Sequence, residues 1–147
     1  MYNRPMPISV RTRQLELVEQ PWRMLLTCSA LNLTSWKQVD PVMAQFFERW
    51  PTPQDFLAAD RQQIINVIRP LGFYNRRART WQNLTRGWLQ LDSPTRSQIA
   101  KLPGVGKYAL DSWCIFIERD LSIEPEDKVL RAWINEARDQ ANPFDLR

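Results

Sequence analysis

The 147-residue chain contains no histidine, only two cysteines, only four glycines and no long apolar run. Each scarcity removes a class of function. Without histidine, the usual general base and the commonest metal ligand are both missing, so proton transfer falls to Asp, Glu, Lys, Tyr or Cys. Cys28 and Cys114 are too few for a disulfide framework or a four-cysteine cluster, and both sit in apolar helical surroundings that suit a reducing compartment. No segment approaches the ~20 apolar residues of a membrane span, and Met1 to Arg13 lacks the hydrophobic centre of a secretory leader. A cytoplasmic, nucleoid-associated or nuclear location is therefore expected.

What is present suits one domain over residues 1–147. Hydrophobic residues make up 44% of the chain, enough for a core without metal or disulfides. Twenty Lys and Arg against sixteen Asp and Glu give a net charge of +4. That excess favours a polyanionic partner without being high enough for a protein that coats one.

Apolar residues recur with helical spacing and strand alternation hardly appears. Thr12 to Glu19 and Pro21 to Leu33 read as helices, as does Gln38 to Trp50. Thr52 is placed to cap a short helix from Pro53, and Asp60 to cap another that ends at Pro70. A turn at Leu71-Gly72-Phe73-Tyr74 precedes a long helix over Asn75 to Leu91, slightly weakened by Gly87. A short helix capped within Ser93 to Thr95 runs to Leu102, Lys107 to Glu118 form the next, and a last one starts near Asp127. The predicted class is all-α, with about nine short helices. Trp22, Trp81, Trp113 and Trp133 fall on apolar faces and are expected in the core, whereas Phe73, in a turn after Gly72, is expected to be exposed or half-exposed.

The most specific segment is Leu102-Pro103-Gly104-Val105-Gly106-Lys107, which joins two helices. Glycine permits backbone dihedrals and close approaches that a Cβ would block, and the hairpin leaves amides pointing outward beside a helix N-terminus. Gly104, Val105, Gly106 and Lys107 are therefore expected to hold a phosphate, the alternative being an ordinary interhelical turn. Such a contact selects no base.

These residues, with Pro21-Trp22, Leu31-Asn32-x-Thr34-Ser35, Pro70-Leu71-Gly72-x-Tyr74, Lys107-Tyr108 and the Glu124-Pro125-Glu126-Asp127 helix start, resemble the helix-hairpin-helix GPD superfamily of DNA glycosylases. Within it the likeness is greatest to the mismatch-specific thymine and uracil glycosylase domain of the methyl-CpG-binding type, over Gln14 to about Trp133. The resemblance implies two helical lobes with an active-site cleft between them. It puts the catalytic carboxylate on Asp127, which would stabilise the positive charge that builds on the sugar as a glycosidic bond breaks. A plain helix cap is the alternative role, and Asp111 is the rival carboxylate. Tyr108 stands where bifunctional relatives carry a Schiff-base lysine, which implies an enzyme without lyase activity. Tyr108, Gln14 and Val129 would line the base pocket, although Gln14 reads equally as a solvated residue at a helix start. Phe73 corresponds to an apolar plug, and Leu33, assigned with it to the DNA wedge, stands where the methyl-CpG-binding type has an arginine. Arg76 and Arg79 either track phosphates or form a solvated face.

The implied activity is excision of a thymine or uracil opposite guanine by base flipping and hydrolysis, the start of base excision repair. A DNA-binding module without chemistry, and a phage or bacterial enzyme acting on modified thymine, are the alternatives. The implied partner is double-stranded DNA, bound by a monomer away from membranes. The iron–sulfur cluster common in the superfamily has no cysteines here after Cys114. No metal is implied beyond room for a monovalent cation on the hairpin carbonyls.

Overall fold

The computed structural model describes residues 12–145. Of the N-terminal stretch read above for a leader, residues 1–11 lie outside the described part. The regular structure consists of eight α-helices, two 3₁₀ turns and one π-helical turn, with no strand among the described residues.

Local signals explain most helix starts. Helix α1 (Pro21–Ala30) opens on a proline, whose missing N–H is unneeded there. Helix α2 (Trp36–Arg49) starts two residues earlier than its spacing predicts, because Ser35 and Gln38 form a reciprocal capping box. Thr52 caps α3 (Pro53–Leu57) through the Asp55 amide. Asp60 precedes α4 (Arg61–Ile68) without the expected side-chain cap; only its carbonyl is engaged, accepting from the Ile64 amide at 3.1 Å. A 3₁₀ turn (Arg69–Leu71) leads to α5 (Tyr74–Leu89). Thr95 and Gln98 form a second capping box for α6 (Arg96–Ala100). The helix expected over Lys107 to Glu118 is α7 (Lys107–Ser112) continued by a π-turn (Trp113–Ile117). Asp127 caps α8 (Lys128–Ala137). The N-terminal helix expected from Thr12 is only a 3₁₀ turn, Gln14–Leu17.

Helices α2 to α5 form one lobe around Phe46, whose ring meets Trp50, Phe56 and Trp81 at centroid distances of 5.0, 5.1 and 5.6 Å. The other lobe, α6 to α8, centres on Phe116 and Trp133, 4.8 Å apart. Helix α1 packs against both. All four tryptophans assigned to the core are buried, and truncating such a side chain typically costs about 3–5 kcal/mol.

Two glycines set how the hairpin meets this frame. A Cβ on Gly87 would lie 2.7 Å from the Leu102 Cδ2, so the weak helix residue is the notch that receives the last side chain before the hairpin. Gly104 has a φ of +82°, and a Cβ there would lie 2.8 Å from Thr80 of α5 and 3.3 Å from Ser29 of α1. Gly106 differs, because its backbone is extended and its Cβ position opens onto empty space.

The two hairpin glycines should therefore separate in a thermal melt. Gly104→Ala is expected to cost about 1–3 kcal/mol and lower Tm by several degrees, while Gly106→Ala keeps Tm within about 2 °C.

Candidate functional site

A cleft of about 1050 Å³ opens where the end of α1, the start of α5, the hairpin and the start of α8 converge. Asp127, Tyr108, Gly104, Val105, Gly106, Lys107, Phe73, Leu33, Arg76 and Val129 all line it. Gln14 lies behind Tyr108 in the wall of a smaller adjoining cavity of about 210 Å³. Arg79 is exposed but outside the lining.

Asp127 is half-buried, and its Oδ2 accepts from the Leu130 amide at 2.9 Å. That bond satisfies a first-turn donor of α8 and fixes the carboxylate at the cleft wall. Oδ1 has no hydrogen bond among the described residues. Asp111, the rival, is buried and spends its charge on Lys107, with Oδ2 2.8 Å from Nζ. Of the two, Asp127 is the carboxylate left without a cationic partner.

Tyr108 and Gln14 form the inner wall. Gln14 is 2% exposed, so it is no solvated helix-start side chain. Its Nε2 donates to the Tyr108 hydroxyl at 2.7 Å and to Ser112 Oγ at 3.2 Å. Ser112 Oγ donates its own proton to the Tyr108 carbonyl at 2.8 Å. The serine therefore faces Gln14 as an acceptor, which fixes the amide nitrogen on that side and leaves Oε1 without a hydrogen bond among the described residues. Burial pushes the Tyr108 phenol up, with the Cys28 and Asp127 charges adding to it and the Gln14 bond opposing. The phenol is neutral at physiological pH. Cys28 lines the same region, and burial, opposed by bonds to Ser112 and Gln14, raises its thiol to about 12.

The hairpin presents the first-turn amides of α7, which have no intrahelical acceptor, and Gly106 offers no capping side chain. The Leu102 carbonyl accepts from the Val105 amide at 3.2 Å, which leaves its second lone pair for a cation. Lys107 is half-exposed, and its bond to Asp111 keeps it protonated by raising its pKa.

Phe73 and Leu33 stand at the rim, 62% and 80% exposed. Both are left-handed, with φ of 46° and 60°, a conformation that costs a non-glycine residue roughly 1–2 kcal/mol. Val129 is also at the mouth, 47% exposed, rather than inside.

Arg77, between Arg76 and Arg79 in sequence, is unlike them buried, at 8% exposure in the cleft wall. Its Nε donates to the Gly72 carbonyl at 2.9 Å, Nη1 to Ser29 at 3.2 Å and Nη2 to Asn32 at 2.8 Å. The signal was available: Arg77 shares one helical stripe with Trp81, Leu84 and Trp88. Among the described residues no group of three or more Cys, Asp or Glu is arranged to hold a metal, and no helix is long and apolar enough to cross a membrane.

The model of the HhH-GPD superfamily of base excision DNA repair proteins matches residues 32–143. A methyl-CpG-binding domain protein 4-like protein of Arabidopsis thaliana is 32% identical over 111 residues, 75% of this chain and 24% of that protein. The thymine/uracil-DNA glycosylase of Pyrobaculum aerophilum is 32% identical over 96 residues, 60% of this chain and 40% of its own. The chain thus spans well under half the length of these relatives. Among solved structures, a thermostable thymine-DNA glycosylase superposes with a TM-score of 0.61 at 25% identity, over 73% of this chain and 57% of that one. A non-covalent endonuclease III–DNA complex superposes with a TM-score of 0.63 at 26% identity, over 83% and 65% of the respective chains.

The buried thiol gives a pH signature. The fold favours the neutral form of Cys28, so its contribution to stability is complete below pH 9, the ordinary thiol value, and is lost as pH rises toward about 12. Denaturant unfolding across pH 7–12 should show stability falling above about pH 9, less steeply in Cys28→Ala, with the native thiol inert to disulfide exchange at neutral pH.

Proposed function

Because the chain belongs to the HhH-GPD superfamily of base excision DNA repair proteins, we propose that it is a monofunctional DNA glycosylase that flips a uracil or thymine mispaired with guanine and hydrolyses its N-glycosidic bond. The observation that carries this is the Asp127 carboxylate, one oxygen tied to the Leu130 amide and the other without a hydrogen bond among the described residues, at the wall of the cleft.

In that role the free oxygen faces C1′ of a flipped nucleotide. As the C1′–N1 bond lengthens, its electron pair leaves with the base and positive charge spreads over the sugar, which the carboxylate stabilises. A water adds to C1′ and its proton passes to Asp127, the base anion takes up a proton from solvent, and Asp127 returns its own to solvent, so that one water is consumed overall. The products are the free base and an abasic site. Tyr108 is a phenol, which cannot form an imine with the sugar, so no strand cleavage accompanies the reaction.

The inner wall fits a pyrimidine-dione. Uracil and thymine present an N3–H donor beside two carbonyl acceptors. Oε1 of Gln14, without a partner among the described residues, accepts from N3–H, and the Tyr108 hydroxyl, which already accepts from Gln14, donates to a carbonyl. Cytosine offers a bare N3 and would leave Gln14 unpaired, a penalty on the order of 1–3 kcal/mol. Val129 closes the mouth of the pocket.

Hairpin residues Gly104, Val105, Gly106 and Lys107 take a backbone phosphate. Lys107 retains two further N–H donors beside its bond to Asp111. Gly106 is explained in this way, because a Cβ there would meet nothing in the protein but would occupy the space of the phosphate. Phe73 and Leu33 fill the gap left by the flipped nucleotide, and stacking of an aromatic on the orphaned base is worth about 1–3 kcal/mol. Arg76, on the cleft, and Arg79, beyond it, track the flanking phosphates. The enzyme acts on double-stranded DNA as a monomer, with no iron–sulfur cluster or other cofactor in the hydrolytic step, and a monovalent cation on the hairpin carbonyls would only steady the phosphate contact.

Asp127→Asn keeps a good helix cap, so it should preserve Tm and duplex binding while lowering excision from a uracil·guanine duplex at least about 100-fold, measured by alkali-revealed nicking. Unchanged cleavage contradicts the role of Asp127, and binding with no cleavage by either protein favours a module without chemistry.

Borohydride added during the reaction of the parent protein should trap no covalent adduct, and no strand break should appear before alkali. An adduct would show that an amine forms an imine with the sugar and would overturn the monofunctional assignment.

A further inference from the structure

We propose that Arg77 is the positioning residue that holds both wedges, locking Leu33 and Phe73 through the peptide groups that precede them. The proposal rests on the preceding assignment of Leu33 and Phe73 to the space vacated by the flipped nucleotide. The two residues are far apart in sequence, and each is exposed, so neither is held by packing of its own side chain. Both also sit in the left-handed region, from which an unrestrained residue would relax.

One guanidinium reaches both. The carbonyl immediately before Leu33, that of Asn32, accepts from Nη2 at 2.8 Å, and the carbonyl immediately before Phe73, that of Gly72, accepts from Nε at 2.9 Å. The carbonyls of Ser29, in the last turn of α1, and of Leu71, in the 3₁₀ turn, complete the set at 3.2 and 3.5 Å. No carboxylate pairs with Arg77 among the described residues, and burial lowers its pKa. A buried cation held only by carbonyls is expensive to keep. A simple cap on the C-terminus of α1 would need Ser29 and Asn32 alone, whereas the planar fork also spans to the second loop.

Lysine cannot replace it, because an ammonium has three donors and no fixed fork to serve four carbonyls on two separate segments. A wedge that drives a base from the stack must resist being pushed back, and a loose backbone beneath it would yield. Arg77 therefore acts through Leu33 and Phe73 without touching the reacting atoms.

A double-mutant cycle tests this in single-turnover excision from a uracil·guanine duplex, with 2-aminopurine opposite uracil in a parallel duplex reporting wedge insertion. Arg77→Lys should slow excision about tenfold and blunt the 2-aminopurine change, yet cost less than about twofold when added to Leu33→Ala/Phe73→Ala. Losses that multiply independently, or no loss, overturn the clamp. Should Arg77→Lys fail to fold, the parent protein decides: the Arg77 Nε–H resonance should stay protected from exchange with and without bound duplex. Exposure of that proton on binding, as the guanidinium moves to a phosphate, overturns the clamp. If the parent releases no base at all, the glycosylase assignment fails, while the resonance measurement still decides whether Arg77 holds both loops.

Discussion

The close approach of the hairpin to α1 and α5 at Gly104 is the constraint on which the cleft depends. With φ at +82° and a Cβ position 2.8 Å from Thr80 Cγ2 and 3.3 Å from Ser29 Oγ, any larger residue is strained and must push those side chains aside. That contact, with Leu102 seated against Gly87, sets the depth at which α7 begins. Because α7 carries Tyr108 and the chain after its π-turn returns to Asp127, the position of the hairpin also sets the far wall. Function at the cleft is thus governed by a backbone contact before any side-chain chemistry enters.

Four of the seven buried polar or charged residues among those described cluster around that cleft. Gln14, Arg77, Asp111 and Ser112 are all buried around it. Gln14 and Ser112 satisfy one another and Tyr108, Asp111 satisfies Lys107, and Arg77 satisfies four carbonyls. Burial also holds the Tyr108 phenol and the Cys28 thiol in their neutral forms. The inner wall consequently reads hydrogen bonds rather than charge, which suits a neutral base. The Asp127 carboxylate stands apart, on the α8 cap.

Helical periodicity made the architecture legible, since amphipathic stripes and caps are local. Thr52, Thr95 and Asp127 cap as their positions imply, and the four core tryptophans are buried as their spacing implies. Phe73 could be singled out as exposed because it follows a glycine outside any stripe. What the sequence conceals is convergence. Whether Gln14 is solvated or buried depends on α7, 94 residues away, bringing Tyr108 to it. The stripe that Arg77 shares with Trp81 and Leu84 marks it as inward-facing, but not the carbonyls 45 and 48 residues upstream that receive its guanidinium. The capping box at Ser35 and the π-turn after Ser112 shifted boundaries for the same reason, because competing hydrogen bonds decide what periodicity leaves open.

Chemistry and specificity meet in the proposed function, in which a pocket with an acceptor from Gln14 and a donor from Tyr108, next to the Asp127 carboxylate, would remove pyrimidine-diones. Chromatography of free bases released from duplexes carrying uracil, thymine or cytosine opposite guanine measures this directly. The predicted result is release of uracil and thymine with cytosine left in place. Release of cytosine at a comparable rate, or of no base from any duplex, would contradict it.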